Sequence, residues 1–193
     1  ERIPDLRVIP ALVTPALAHW FARVNLVERL RETRVFYGFD RLGALRAPLE
    51  GMPDSAMTQL FRVAPVYPHE RWLPAVRVYG EGLYIELHEN AILNWQSAHE
   101  KWLRDRLSHA FVERLAGQSQ VLSPTSSPDW TWASRYLLVH SLAHILISQL
   151  VFECGYSTAS LRERLYVSSD SASPMAGILI YTAAGDAEGT LGG

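Results

Sequence analysis

The feature that most constrains the fold is an uncharged apolar run of 17 residues, Tyr136–Phe152, between Arg135 and Glu153. Its length is marginal for crossing a bilayer, and its two histidines, two serines and glutamine would each cost free energy in lipid. A run that is apolar almost all round is typical of a helix inside a globular core. We therefore expect a central buried helix over Trp130–Cys154, ended by Gly155, and no membrane span.

Composition excludes several classes of protein. The single cysteine, Cys154, cannot form an internal disulfide, and no cysteine cluster is present to build a thiolate zinc site. A net charge of -2 gives no overall basic field of the kind that a free-standing nucleic-acid binder carries. No signal-peptide pattern occurs near the start. We expect a protein of a reducing compartment, the cytoplasm.

Periodicity and turn residues predict an α+β fold, with long helices packed on small antiparallel or mixed sheets. On both sides of Gly80–Gly82, side chains alternate with the two-residue period of a strand, and this pattern predicts a β-hairpin. An amphipathic pattern predicts one long helix over 89–115 with Gly117 as its end. The other predicted elements are short helices over 16–23 and after Asn25, and strands at 34–39, 164–168 and 176–182, the last of them an interior strand.

The segment 119–128, rich in Ser, Thr and Pro, is the best candidate for a linker. It divides the chain into a mixed helix and strand region, 1–118, and a second region, 129–193. The chain begins without methionine and ends on glycines, with no closing helix or strand. We expect the second region to be the first part of a longer domain.

Two histidines, His140 and His144, stand four residues apart on the predicted central helix. This spacing places both imidazoles on one helix face, within reach of one metal ion, but a metal site needs a third ligand. Asp186, in the loop after the last predicted strand, is a candidate carboxylate, and such a set would suit metal-assisted hydrolysis. The alternative is a hydrogen-bonded polar network inside the core. The identity of a metal stays open.

The glycine spacing at the end of the chain matches neither the dinucleotide fingerprint nor the phosphate-binding loop, so we expect no ATP site. DNA contacts could come from arginines near tryptophans, because indoles stack on bases and guanidinium groups match phosphates. Buried core anchors are the alternative role for these tryptophans. The candidate DNA contacts are Arg71, Arg104, Arg106 and Arg135.

Four segments of the chain together resemble a known family. They are RYLLVHSLAHILISQLVFECGYSTASLRERLYV, MAGILIYTAAGDAEGTLGG, LPAVRVYGEGLYIEL and LRETRVFYGFDRL. The HSLAH helix, the ECGY turn, and the IY strand that runs into a glycine-rich loop resemble the helicase-associated domain of unknown function. That domain occurs in DrmB proteins of the DISARM anti-phage system and in MrfA-type DNA-repair helicases.

The resemblance implies a bacterial, non-catalytic accessory subunit of a defence complex. Such a subunit associates with a superfamily-two helicase, DrmA-like, which hydrolyses ATP, and it assists the binding of foreign DNA within the complex. Family members continue into a cysteine-containing segment that binds zinc; this chain stops before it, so we expect no cofactor in this segment. The resemblance assigns no catalytic residue. The alternative from the residues alone is a metal-dependent hydrolase or nuclease that uses His140 and His144.

Overall fold

The structure is a computed structural model that describes residues 6–36, 38–39, 58–59, 67, 72–118, 128–157 and 160–182. Its strands and helices confirm the predicted α+β class. The elements are β1 Leu6–Pro10, β2 Phe21–Val35, β3 Gly38–Phe39, β4 Thr58–Gln59, β5 Ala75–Leu87, α1 Glu89–Ala98, α2 Glu100–Arg106, α3 His109–Gln118, α4 Trp130–Cys154, β6 Leu161–Ser168 and β7 Met175–Thr182.

The chain divides into two compact units. Residues 32–78 form one unit, in which β3 pairs antiparallel with β4 and the Phe36 amide donates to the Pro74 carbonyl at 2.8 Å. The other unit comprises residues 1–31 and 79–193 and contains the helices α1 to α4. The predicted boundary over 119–128 stays a prediction, since 119–127 lie outside the described residues.

A five-stranded sheet has the strand order β1-β2-β5-β7-β6. β7 pairs antiparallel with both β5 and β6, and from Ala176 to Thr182 every residue of β7 is buried. This confirms the predicted interior strand. A strand that is apolar on both faces and paired along both edges needs cover from other elements, and α4 packs against β6 and β7.

The helices predicted over 16–23 and after Asn25 are wrong. The chain turns between β1 and β2, with the Thr14 carbonyl accepting from the Leu17 and Ala18 amides at 2.9 and 3.0 Å, and then runs as the long strand β2. Leu26 and Leu30 are four residues apart, a spacing that fits one face of a helix and equally one face of a regular strand, so spacing alone does not distinguish the two. Pairing with β1 decides between the two.

The predicted hairpin at Gly80–Gly82 is also wrong, because β5 continues through it without a turn. Gly82 lies opposite Tyr181 of β7. A Cβ atom at Gly82 would lie 2.8 Å from the Tyr181 Cβ and still closer to the Ile180 carbonyl oxygen. The glycine is therefore required by close approach of a neighbouring strand and not by turn geometry.

The single helix predicted over 89–115 is three helices. α1 ends at Ala98, and Leu107 leaves helical geometry at the end of α2. Ser108 directly precedes α3 and accepts from the Phe111 amide at both its carbonyl and its hydroxyl oxygen. Serine is a favoured residue at a helix start, so the break has a local cause. Gly117 lies inside α3, which runs to Gln118.

The predicted limits of α4 are confirmed. The Asp129 side chain caps its first turn by accepting from the Thr131 and Trp132 amides, and Gly155 ends it with a positive φ of 73°. The expectation of a wholly buried helix holds only for the N-terminal half, where Trp132 and Val139 are fully buried. In the C-terminal half, Phe152 is 84% exposed.

By length and composition alone, α4 could cross a membrane, with a mean hydropathy of 1.6 over its most apolar window. The helix packs against α1, α2, α3, β6 and β7. The absence of a membrane span stays a prediction.

The packed half of α4 contains a buried charge. Arg135 is 2% exposed, and its two terminal nitrogens donate to the two carboxylate oxygens of Glu89 at the start of α1, one of them at 2.6 Å. The same guanidinium donates to the Met175 carbonyl of β7 at 3.4 Å. A buried arginine needs such partners because removing them leaves an uncompensated charge in the interior.

The two sides of this pair are expected to respond differently to substitution. Glu89→Ala leaves Arg135 buried without its carboxylate and should lower the free energy of unfolding by about 3–5 kcal/mol. Arg135→Met should cost less, about 1–2 kcal/mol, because a side chain of similar length fills the site and the partly exposed Glu89 can be hydrated. Urea unfolding of both variants measures the difference.

Lys101→Ala is the control, since it breaks an exposed pair with Asp105 and should cost less than about 1 kcal/mol. An Arg135→Met variant less stable than Glu89→Ala would contradict the structure.

The close approach at Gly82 gives a second expectation. Gly82→Ala should destabilise the protein by about 1–3 kcal/mol, because the new methyl group meets the β7 backbone, which cannot move aside. Gly117→Ala is the matched control: no atom lies within 4 Å of the added carbon, and alanine favours a helix by about 0.5–1 kcal/mol. A Gly82→Ala variant whose thermal unfolding midpoint equals that of the wild type would contradict the close approach of β7 to this glycine.

Candidate functional site

One face of α4 carries a line of aromatic side chains. Trp132, Tyr136, His140 and His144 follow one another at four-residue steps, with ring centroids 5.3, 5.5 and 4.6 Å apart. The line leads from the fully buried Trp132 to His144, whose side chain is 64% exposed. Ser148, one step further, donates to the His144 carbonyl and so bonds to its own helix. The two imidazoles therefore lie where the core opens to solvent.

Strand β6 brings a carboxylate to the two histidines. Glu163 Oε1 lies 3.2 Å from His140 Nε2 and 3.7 Å from His144 Nε2, and the two Nε2 atoms are 2.8 Å apart. We call these three residues the His-His-Glu cluster. Two imidazole nitrogens and one carboxylate oxygen are a set of atoms that could hold a metal ion.

The position of Glu163 follows from the two-residue alternation of a strand. Leu161, Leu165 and Val167 occupy the face of β6 that packs into the core with α4, and Glu163 lies on that same face. Its second oxygen, Oε2, is buried and has no hydrogen-bond partner within the part of the chain that the structure describes. A buried carboxylate oxygen without a partner is costly, so the cluster is polar but incompletely satisfied.

The charge of Glu163 also acts on Tyr136. Burial, and after it the nearby Glu163 carboxylate, raises the pKa of the Tyr136 phenol above its ordinary value. The phenol therefore stays protonated at neutral pH and is a hydrogen-bond donor beside the cluster. The chemistry available here is hydrogen-bond donation by Tyr136 and lone-pair donation by the three cluster atoms.

The two predicted histidines thus lie together beside a carboxylate, and that carboxylate belongs to Glu163. The predicted carboxylate, Asp186, lies outside the described residues. Glu163 was missed because the strand was predicted to begin at Arg164, three residues after the observed start of β6 at Leu161. A signal was present: in the series Leu161, Glu163, Leu165, Val167, one charged residue interrupts an otherwise apolar strand face.

The candidate DNA contacts lie in different environments. Arg104 and Arg106 are exposed on α2, with guanidinium carbons 4.5 Å from the Trp130 ring centroid and 4.6 Å from that of Trp102. Arg135 is buried against Glu89, so its guanidinium is not accessible to a phosphate in this structure. Arg71 lies outside the described residues.

No protein-family model matches the chain. The chain is 31% identical over 180 residues to the DISARM protein DrmB of Bacillus paralicheniformis. The match covers 90% of this chain and 28% of that protein, so the chain spans little more than a quarter of the length of its curated relative. The predicted resemblance to DrmB proteins is thereby confirmed: over nine tenths of its length, the chain is similar to this DrmB.

Proposed function

We propose that this chain is part of a non-catalytic accessory subunit of a bacterial DISARM anti-phage complex in the cytoplasm. The observation that carries the proposal is the similarity to a DISARM protein DrmB over nine tenths of the chain. In this proposal the subunit associates with a superfamily-two helicase, which supplies ATP hydrolysis, and assists that helicase in holding foreign DNA. This chain contains no phosphate-binding loop motif, so the proposal places ATP hydrolysis outside this segment.

The surface best suited to DNA lies on α2. We call Lys101, Trp102, Arg104 and Arg106, together with Trp130 of α4, the α2 surface. Each arginine lies over an indole ring, a contact that holds a planar donor group in place at an exposed site. Such a surface can donate to phosphates and stack on unpaired bases.

The same surface also carries acidic partners. Lys101 pairs with Asp105 at 2.7 Å, and Arg104 pairs with Glu100 at 2.8 Å. Exposed pairs of this kind contribute little stability, so a phosphate can replace the carboxylate at small cost. The nearby acidic charge nevertheless weakens the attraction of DNA by this chain alone. The proposed DNA contact therefore adds to binding within the complex rather than acting by itself.

The test uses the full-length protein that contains this chain, expressed with its helicase. We expect the two to co-purify, and the complex to bind fluorescent DNA more tightly than the helicase alone. In the complex, Arg104→Ala combined with Arg106→Ala should weaken DNA binding. The plot of log affinity against log salt concentration should also become less steep, its slope falling in magnitude by about 2, one for each lost phosphate contact.

Arg162→Ala, which removes an exposed arginine on β6, is the control and should leave the slope unchanged. Failure to co-purify, or unchanged DNA binding by the helicase, would contradict the accessory role. A double variant that behaves like Arg162→Ala would contradict the assignment of DNA contact to the α2 surface.

A metal-dependent hydrolase or nuclease is the second candidate function. One observation favours it: Glu163 adds a carboxylate to the two histidines that the sequence pairs. Three protein ligands leave coordination positions for water and substrate. This candidate requires DNA cleavage that depends on added Zn²⁺ or Mn²⁺ and is lost in Glu163→Gln. Cleavage that Glu163→Gln retains would exclude the cluster as its site.

A further inference from the structure

We propose that the His-His-Glu cluster binds one divalent transition-metal ion of the zinc class, through Nε2 of His140, Nε2 of His144 and Oε1 of Glu163. The inference stands on the geometry of these three side chains and does not depend on the DISARM proposal.

The distances between the three atoms suit a shared ion. With metal–ligand bonds of about 2.0–2.2 Å and angles between octahedral and tetrahedral values, neighbouring ligand atoms lie about 2.8–3.6 Å apart. The observed separations are 2.8, 3.2 and 3.7 Å. Only the contact between His144 and Glu163 has to shorten slightly, and the exposed His144 side chain has room to rotate.

Hydrogen bonds alone satisfy the cluster poorly. In a neutral imidazole one ring nitrogen donates and the other accepts, so the contact between the two Nε2 atoms requires a donor on one side and a lone pair on the other. The nitrogen that acts as acceptor there has no proton left for Glu163 Oε1. A cation placed between the three atoms accepts a lone pair from each of them at once.

No competing cation neutralises Glu163 from within the described chain. Its neighbours Arg162 and Arg164 alternate to the exposed face of β6. Within the described residues its carboxylate forms ion-pair contacts with the two histidines and lies near the Tyr136 phenol, and its Oε2 atom is buried without a hydrogen bond. A second carboxylate oxygen in this position can approach the same ion, as bidentate carboxylates do.

The donor set selects the class of ion. Two imidazole nitrogens and one carboxylate oxygen favour zinc and neighbouring transition metals, whereas magnesium and calcium prefer oxygen ligands throughout. Three protein ligands leave at least one position open, and His144 borders solvent, so water can complete the coordination. The bound ion would tie α4 to β6 at the point where α4 leaves the core.

The experiment uses the full chain, freed of metal with a chelator and then titrated with Co²⁺ and with Zn²⁺. The readouts are the visible absorption of bound Co²⁺, the number of ions per chain and the thermal unfolding midpoint. We expect one ion per chain and a higher unfolding midpoint, because a ligand that binds the folded state stabilises it. His144→Ala and Glu163→Gln should each weaken binding by about 100-fold or more.

His109→Ala is the matched control. His109 Nδ1 lies 3.5 Å from Glu113 Oε2 on α3, an exposed histidine–glutamate pair without a second histidine in contact within the described residues. The His109→Ala variant should bind the ion with the same affinity as the wild type. Because His144 is exposed, His144→Ala should fold normally and decides the question even where Glu163→Gln does not fold. A wild-type chain that binds no stoichiometric ion, or a His144→Ala variant that binds like His109→Ala, would overturn the proposal.

Discussion

The N-terminal half of α4 is the part of the molecule on which the described core depends. Strands β6 and β7 and helices α1, α2 and α3 all pack against this helix, and Trp132 and Val139 within it have no exposed surface. The pair formed by the buried Arg135 and the partly exposed Glu89 lies in this contact. Arg135 also donates to the carbonyl of Met175, so one guanidinium fixes α4 against the start of α1 and the start of β7. A charge that cannot be left unpaired in the interior thereby couples three elements.

The same packing creates the His-His-Glu cluster. On α4, four-residue steps bring His140 and His144 to the edge of the core. On β6, two-residue alternation puts Glu163 on the face that meets α4. Neither periodicity alone makes a site. The cluster exists because the helix and the strand pack with these two faces together, and its incomplete hydrogen bonding is what an ion would relieve.

Arginines of this chain have roles that depend on burial and not on residue type. Arg135 is a structural residue inside the core, whereas Arg104 and Arg106 lie over indole rings on an exposed helix. The near-neutral net charge is consistent with this arrangement, since many basic side chains pair with carboxylates. In the proposed assembly, DNA contact and ion binding therefore belong to separate surfaces of the chain and can be tested separately.

The sequence by itself determined the elements whose causes are local. The apolar run, the capping residue Asp129 and the terminating Gly155 specify α4, and the four-residue spacing pairs His140 with His144. It did not determine β2 or the continuity of β5 through Gly82, because strand pairing joins residues distant in the chain, and local spacing fits a helix or a turn equally well. Tertiary structure also decided that the carboxylate facing the histidines is Glu163, since only packing of β6 on α4 brings a strand residue to a helix face.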